Sequence, residues 1–310
     1  MAQVKRVFVA GGTGVVGRAA LAALVAAGHH VRSTARGPSS AELVHSMGAE
    51  PVDVDLYDLA AVRQSIRGSD VLIRLTTKIG PISRMRGPHA WDETNRLRTV
   101  GARVLVDAAI AEGVGAYVHE SVTFVYRDGA STWLDEDAAT DDGGTTILRA
   151  ALEGEDEAAR FSRSGGRGVV LRFGGFYGPS APSAGEMLTM ARKRMLPQIG
   201  PGSNYFSSIY VSDAGSAVAA SVDLPAGTYN VTDDEPLRFS EYLGTALSAA
   251  GAPKPLRLPG FVGGLLFGNV WEYFSRSLRV SNAKLKGSSD WRPRVASARE
   301  GWPLTVNGLE

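Results

Sequence analysis

Seven residues near the N-terminus, Gly11-Gly12-Thr13-Gly14-Val15-Val16-Gly17, restrict this chain more than any other stretch. Ahead of them, Val7-Phe8-Val9-Ala10 is an unbroken apolar run, the pattern of a strand buried on both faces. After them an alanine-rich segment reads as a helix from about Arg18 to Ala27, stopping at Gly28 where a glycine cap belongs. In a strand–turn–helix unit the three spaced glycines have separate jobs. Gly11 permits the tight turn, Gly14 lets a pyrophosphate reach the backbone, and Gly17 lets helix and strand pack closely. The free amides and positive dipole end of the helix then face the phosphates. A strand before and a helix after make this a dinucleotide site, with Gly11, Thr13, Gly14, Val15, Val16 and Gly17 against the ligand.

The next strand, His30 to Arg36, decides which dinucleotide. An acidic residue about 20 positions beyond the glycine loop holds the ribose 2′-hydroxyl of NAD, whereas an arginine nearby accommodates the 2′-phosphate of NADP. No Asp or Glu stands between Val31 and Ser40. Arg36 and Arg32 do, with Ser39 and Ser40 as further donors, so Arg36 is the expected phosphate ligand and NADP is preferred over NAD. Glu50 to Leu56 reads as a third strand, and Asp55 at its end either accepts the adenine amino group or caps the turn before Tyr57. A helix from about Leu59 to Ile66, a strand Val71 to Thr77, a helix from about Glu93 to Glu112 and a strand Ala116 to Ser121 follow. This alternation predicts an α/β fold: a Rossmann-type, doubly wound parallel sheet with right-handed crossovers.

Composition removes other classes. Net charge is +1 with no long basic run, which excludes nucleic acid and membrane surfaces as partners and leaves a small-molecule substrate. There is no cysteine, and the five histidines lack metal-site spacing, so no metal is expected. The N-terminus reaches the first strand within a few residues and no apolar stretch is long enough to span a bilayer, which suggests a cytoplasmic protein. Arginine outnumbers lysine, a hint of a GC-rich bacterial source.

The order of local signatures resembles the extended short-chain dehydrogenase/reductase family, the relatives of sugar-nucleotide epimerases and dehydratases. The matching pieces are the glycine loop; Asp53-Val54-Asp55-Leu56-Tyr57-Asp58; Asn95 to Gly101; Tyr117 to Ser121 ahead of Phe124-Val125-Tyr126; Leu171-Arg172-Phe173; Phe176 to Pro179; and Ile209 to Ala214. The resemblance implies that Leu56, Leu75, Thr76, Thr77, Asn95, Ser121, Arg149 and Phe173 also line the cofactor, Phe173 lying against the nicotinamide. It implies an NADP-binding domain over 1–177 with a returning segment near 205–232, and a smaller substrate lobe over 178–204 and 233–310.

The family's redox residues are a Ser/Thr, a Tyr and a Lys, and here the pattern breaks. Val122 stands at the hydroxyl position, four before Tyr126. In the best register Thr145 replaces the tyrosine and Arg149 the lysine, and no lysine lies near. Arginine stays protonated and cannot shuttle protons. The expected activity is therefore an atypical NADP-dependent oxidoreductase that delivers hydride to a hydrophobic or aromatic acceptor, in secondary metabolism, with Ser121, Tyr126, Thr145 and Arg149 as candidate catalytic groups. A non-catalytic NADP-binding redox sensor and a redox-neutral isomerase, cyclase or lyase are the alternatives. The aromatic segment Pro259 to Phe274 is expected to be a substrate wall, a homodimer contact or core, and the acidic loop Arg127 to Gly144 a lid.

Overall fold

Apolar runs too short for helices become strands when both their faces are covered. The computed structural model describes residues 3–80, 87, 89–141, 146–268 and 271–309. Its central sheet holds β1 (Arg6–Ala10), β2 (His30–Thr34), β3 (Glu50–Val52), β4 (Val71–Arg74), β5 (Ala116–Val122), β6 (Arg167–Phe173) and β7 (Gly227–Val231). All pair in parallel in the order β7-β6-β5-β4-β1-β2-β3. The chain winds outward from β1 to β3, then returns to β4 and winds the other way. That reversal opens a crevice beyond the C-terminal ends of β1 and β4, where ligands of open α/β sheets bind.

The first half contributes α1 (Val15–Ala26), α2 (Pro38–Ser46), α3 (Leu59–Ile66), α4 (Asp92–Arg96), α5 (Ala102–Ala111) and α6 (Thr146–Arg163). The second contributes α7 (Pro182–Arg192), α8 (Val211–Ala220), α9 (Phe239–Ala249), α10 (Phe261–Phe267), α11 (Trp271–Ser275), α12 (Ala283–Ser288) and α13 (Ala298–Asn307). Successive strand residues serve opposite faces. Val7, Val9 and Ile73 meet Leu21 and Leu24 of α1 and Val218 of α8. Phe8, Leu72 and Tyr117 meet Ile66 of α3, Leu105 of α5 and Phe161 of α6. Phe8 is fully enclosed, and truncating such a ring to alanine costs about 3–5 kcal/mol. A third core around Tyr177, Leu188, Tyr242 and Trp302 joins α7, α9 and α13.

Several boundaries differ from the sequence reading. The third strand ends at Val52, because Asp55 Oδ1 accepts the Tyr57 amide at 3.0 Å and Asp58 caps α3, so the chain is already turning. The expected continuous helix over 93–112 is α4 and α5 joined by a π turn, Leu97–Gly101. Over its described part, the acidic loop is fastened rather than lid-like. Arg127 donates to Ala139, Gly129 to Ser277, and Asp141 to Val125, while the Asn230 amide donates to Glu136 at 2.7 Å. Among the described residues no helix is long and apolar enough to cross a membrane.

Candidate active site

The glycine loop sits where β1 meets the crevice. Gly11 adopts φ +100°, and a Cβ there would lie 2.7 Å from the Leu75 carbonyl oxygen. A Cβ on Gly17 would lie 2.1 Å from the Gly11 carbonyl oxygen, so helix and turn touch backbone to backbone. Gly14 is exposed, and its Cβ position meets nothing nearer than 3.3 Å. The first turn of α1, where Val15 and Val16 stand, has no side-chain cap and no acidic residue. Its amides are left facing the crevice with the helix dipole behind them. The cradle fits a diphosphate.

Around it the structure assembles much of the expected rim. Leu75 is buried and its amide donates to Ala10 at 2.7 Å, which places Leu75 and Thr76 directly against Gly11. Thr76 is buried with its hydroxyl unpartnered, and Thr77 and Leu56 are half-buried. Thr13 is half-buried in the loop itself. Arg36 follows β2, exposed and with no hydrogen bond or ion pair among the described residues. Arg32, the alternative, is engaged elsewhere, donating to the Ser65 carbonyl at 2.7 Å and to Glu50 at 3.3 Å. Asp55 is exposed and holds the turn before Tyr57. Asn95 lies at the end of α4, its carbonyl taken by the Thr99 hydroxyl and its side-chain oxygen buried without a partner. Phe173 is fully buried, its ring 5.4 Å from Phe176, and the core accounts for its packing.

The candidate catalytic groups do not converge. Ser121 is fully buried and donates to Glu155 at 2.5 Å, so it is not a free donor in the crevice. Glu155 also takes Nε and Nη2 of Arg172 at 3.0 and 2.6 Å. Tyr126, expected as the first phenol to test for proton donation, is likewise enclosed. It donates to Asn230 at 2.8 Å, its ring lies 4.8 Å from the Arg172 guanidinium, and burial pushes its pKa up to about 12. Its environment stabilises the neutral phenol, the wrong direction for an acid. Thr145 lies outside the described residues. Arg149 and Glu153 share the exposed side of α6, and Arg149 has no partner among the described residues.

Around Val122, the residue at the family's hydroxyl position, the described surroundings are apolar. Val122, at the end of β5, is half-buried beside Phe173 of β6. Phe124 lies 5.7 Å from Phe274 and 6.3 Å from Phe206, and Phe206 sits over Gly175 just beyond β6. Tyr273 of α11 packs with Val125, Leu148 and Ala151. The C-terminal end of the aromatic segment thus joins this wall, whereas Phe261, Leu265 and Leu266 of α10 are exposed.

The sequence reading missed the buried Ser121–Glu155–Arg172 linkage. The available signal was a charged residue inside the apolar strand Val169-Val170-Leu171-Arg172-Phe173, which needed a partner.

Comparison with known proteins places this architecture. The sequence model of the NAD dependent epimerase/dehydratase family matches residues 7–232. A 3-diazoavenalumate denitrifying reductase of a Streptomyces species is 34% identical over 309 residues, covering 96% of this chain and 98% of that protein. A 2-alkyl-3-oxoalkanoate reductase of Stenotrophomonas maltophilia is 24% identical over 287 residues, covering 89% and 84%. In fold the chain is similar to the human epimerase family protein SDR39U1 (isoform 2) crystallised with NADPH, with a TM-score of 0.81 at 20% identity over 97% and 99% of the two chains. The chain belongs to the NAD dependent epimerase/dehydratase family, as one of its nicotinamide-dependent oxidoreductases.

Proposed function

We propose that this oxidoreductase uses NADP(H) to reduce a flat, electrophilic aromatic molecule that needs no proton from the enzyme. The observation that carries the reading is the apolar surroundings of the family's hydroxyl position, where Val122 stands and Phe124, Phe206 and Phe274 pack together beside it. When bound, the reduced dinucleotide supplies a hydride. The chain's own work is to hold the diphosphate on the amides of the α1 turn, seat the ribose phosphate on Arg36, and keep water from the reacting face with the aromatic wall. Arg149, exposed at the start of α6, is placed to hold ribose hydroxyls, and the segments 178–204 and 233–310 form the substrate lobe.

The likeness to a denitrifying reductase of a diazo compound supports one substrate class, an aromatic acid bearing a diazo group. Replacing a diazonium group by hydrogen takes up one hydride, breaks the carbon–nitrogen bond and releases N2. The balance closes without a proton, so a site lacking a tyrosine–lysine pair suffices. The test is to incubate the protein with NADPH or NADH and a panel of an aryl diazonium acid, a quinone, an enone and a simple ketone. Oxidation of NADPH with matching release of arene and N2, and none with the ketone, is the expected result. Equal turnover of the ketone, or NADPH binding without turnover of any acceptor, overturns the reading; the latter favours a sensor.

A further inference from the structure

Beneath the crevice, on the face covered by α5 and α6, charge is buried that the described residues do not fully neutralise. Arg74 and His119 are cross-strand neighbours on β4 and β5, so their side chains leave the same face of the sheet. Both are fully buried. The π turn brings Arg98, 2% exposed, over them from above. Opposite lies Gly154 of α6, where a Cβ would fall 2.6 Å from His119 Nε2 and 2.8 Å from the Arg98 carbonyl oxygen. Only a residue without a side chain lets the imidazole and the π turn lie directly on the α6 backbone.

The hydrogen bonds of this cluster are incomplete on the donor side. Arg74 gives Nη1 to the Glu120 carbonyl at 3.2 Å and Nη2 to the Thr76 carbonyl at 2.7 Å, but its Nε is buried without a partner. Arg98 Nε and Nη1 are buried without partners, and so is His119 Nε2. His119 Nδ1 lies 3.1 Å from the Tyr117 hydroxyl. With that phenol, which has no other acceptor among the described residues, donating to Nδ1, the ring proton sits on Nε2. Four buried nitrogens then lack acceptors among the described residues.

Charge points the same way. Neither Arg74 nor Arg98 forms an ion pair within 4 Å among the described residues. Glu155 is committed to Arg172 at 2.6 Å. Glu120 is the one other carboxylate felt by both arginines, and its Oε2 has no partner. Among the described residues three guanidiniums, Arg74, Arg98 and Arg172, share two carboxylates, Glu120 and Glu155, which leaves one positive charge uncompensated. Buried water satisfies donors but not that excess, and an unpaired buried charge is strongly unfavourable.

We propose that Arg98 Nε and Nη1, Arg74 Nε and His119 Nε2 form an internal binding site for a small monovalent anion of the halide type, under the ends of β4 and β5. The site is independent of the substrate reading. Its effect is to neutralise the buried charge beside Thr76, whose carbonyl Arg74 holds.

Crystals of the full chain grown in sodium bromide test it directly. An anomalous bromide peak within contact distance of Arg98 Nε and Nη1 is expected; density there refined as water without anomalous signal overturns the proposal. In solution, the protein freed of halide is melted in sodium gluconate and in sodium chloride at equal ionic strength. Chloride should raise the wild-type Tm by at least about 2 °C and Arg98→Met should lose that response. An equal response in wild type and variant, or none in wild type, overturns the site. Should Arg98→Met fail to fold, the wild-type bromide map and chloride titration decide alone.

Discussion

Tyr126 points its hydroxyl at the side-chain oxygen of Asn230, 2.8 Å away, and so turns from the crevice toward β7. The family position that suggested a phenolic acid is here a tie between the β5 end and the outermost strand. Tyr126→Phe should leave kcat within about twofold of wild type while lowering stability by about 1 kcal/mol, the ordinary cost of one buried hydrogen bond. Steady-state kinetics and thermal melting check this together, and a tenfold fall in kcat with unchanged Tm would restore the phenol as proton donor.

Glu155 anchors the neighbouring linkage, with both it and Arg172 about nine-tenths enclosed. Glu155→Gln removes the countercharge while keeping the shape. It should destabilise the fold by about 3 kcal/mol, because the guanidinium of Arg172 stays buried without its partner. Glu155→Gln combined with Arg172→Met should recover part of that loss. Denaturant melts of the two variants measure the difference.

Arg36 makes a cleaner case, because the side chain is exposed and bonded to nothing among the described residues, so its removal should not disturb the fold. Arg36→Glu should weaken NADPH binding by at least about tenfold, the worth of a charge-assisted contact to a phosphate, and leave NADH binding within about twofold. Fluorescence titration with each dinucleotide reads the ratio. Equal losses would remove Arg36 from the phosphate site.

Asp233 gives the fold a dependence on pH. It is buried, accepts the Ser208 hydroxyl at 2.9 Å and the Tyr210 amide at 3.2 Å, and burial raises its pKa from 3.8 to about 8. Between those values the folded chain holds a proton that the unfolded chain has released. Stability from this group is therefore present at low pH and is lost as pH climbs toward about 8. Asp233→Asn should flatten the fall of Tm between pH 5 and about pH 8 relative to wild type. Parallel Tm curves for the two proteins would show that another group carries the slope.

Much of the fold could be read from residue order, because the parallel sheet leaves a coarse signature: apolar runs such as Val7 to Ala10 with helices between them. The glycine loop was legible for the same reason, since backbone contacts as close as that of Gly17 with Gly11 admit one residue type. The polar interior was not. Whether Ser121 faces the crevice or Glu155 depends on the partner that α6 presents some thirty residues later, and no local pattern encodes that pairing. The π turn was missed because its one extra residue leaves the apolar spacing of 93–112 nearly unchanged.

That extra residue has an evolutionary corollary. A π turn holds about one residue more than an ordinary helical turn, so excising one residue from Leu97–Gly101 would close it into a regular helix while α4 and α5 keep nearly the same faces. Arg98 lies inside that turn, so its buried position is set by the turn as much as by the residues around it. A change of one residue in chain length thus reaches that buried guanidinium without touching any of its neighbours.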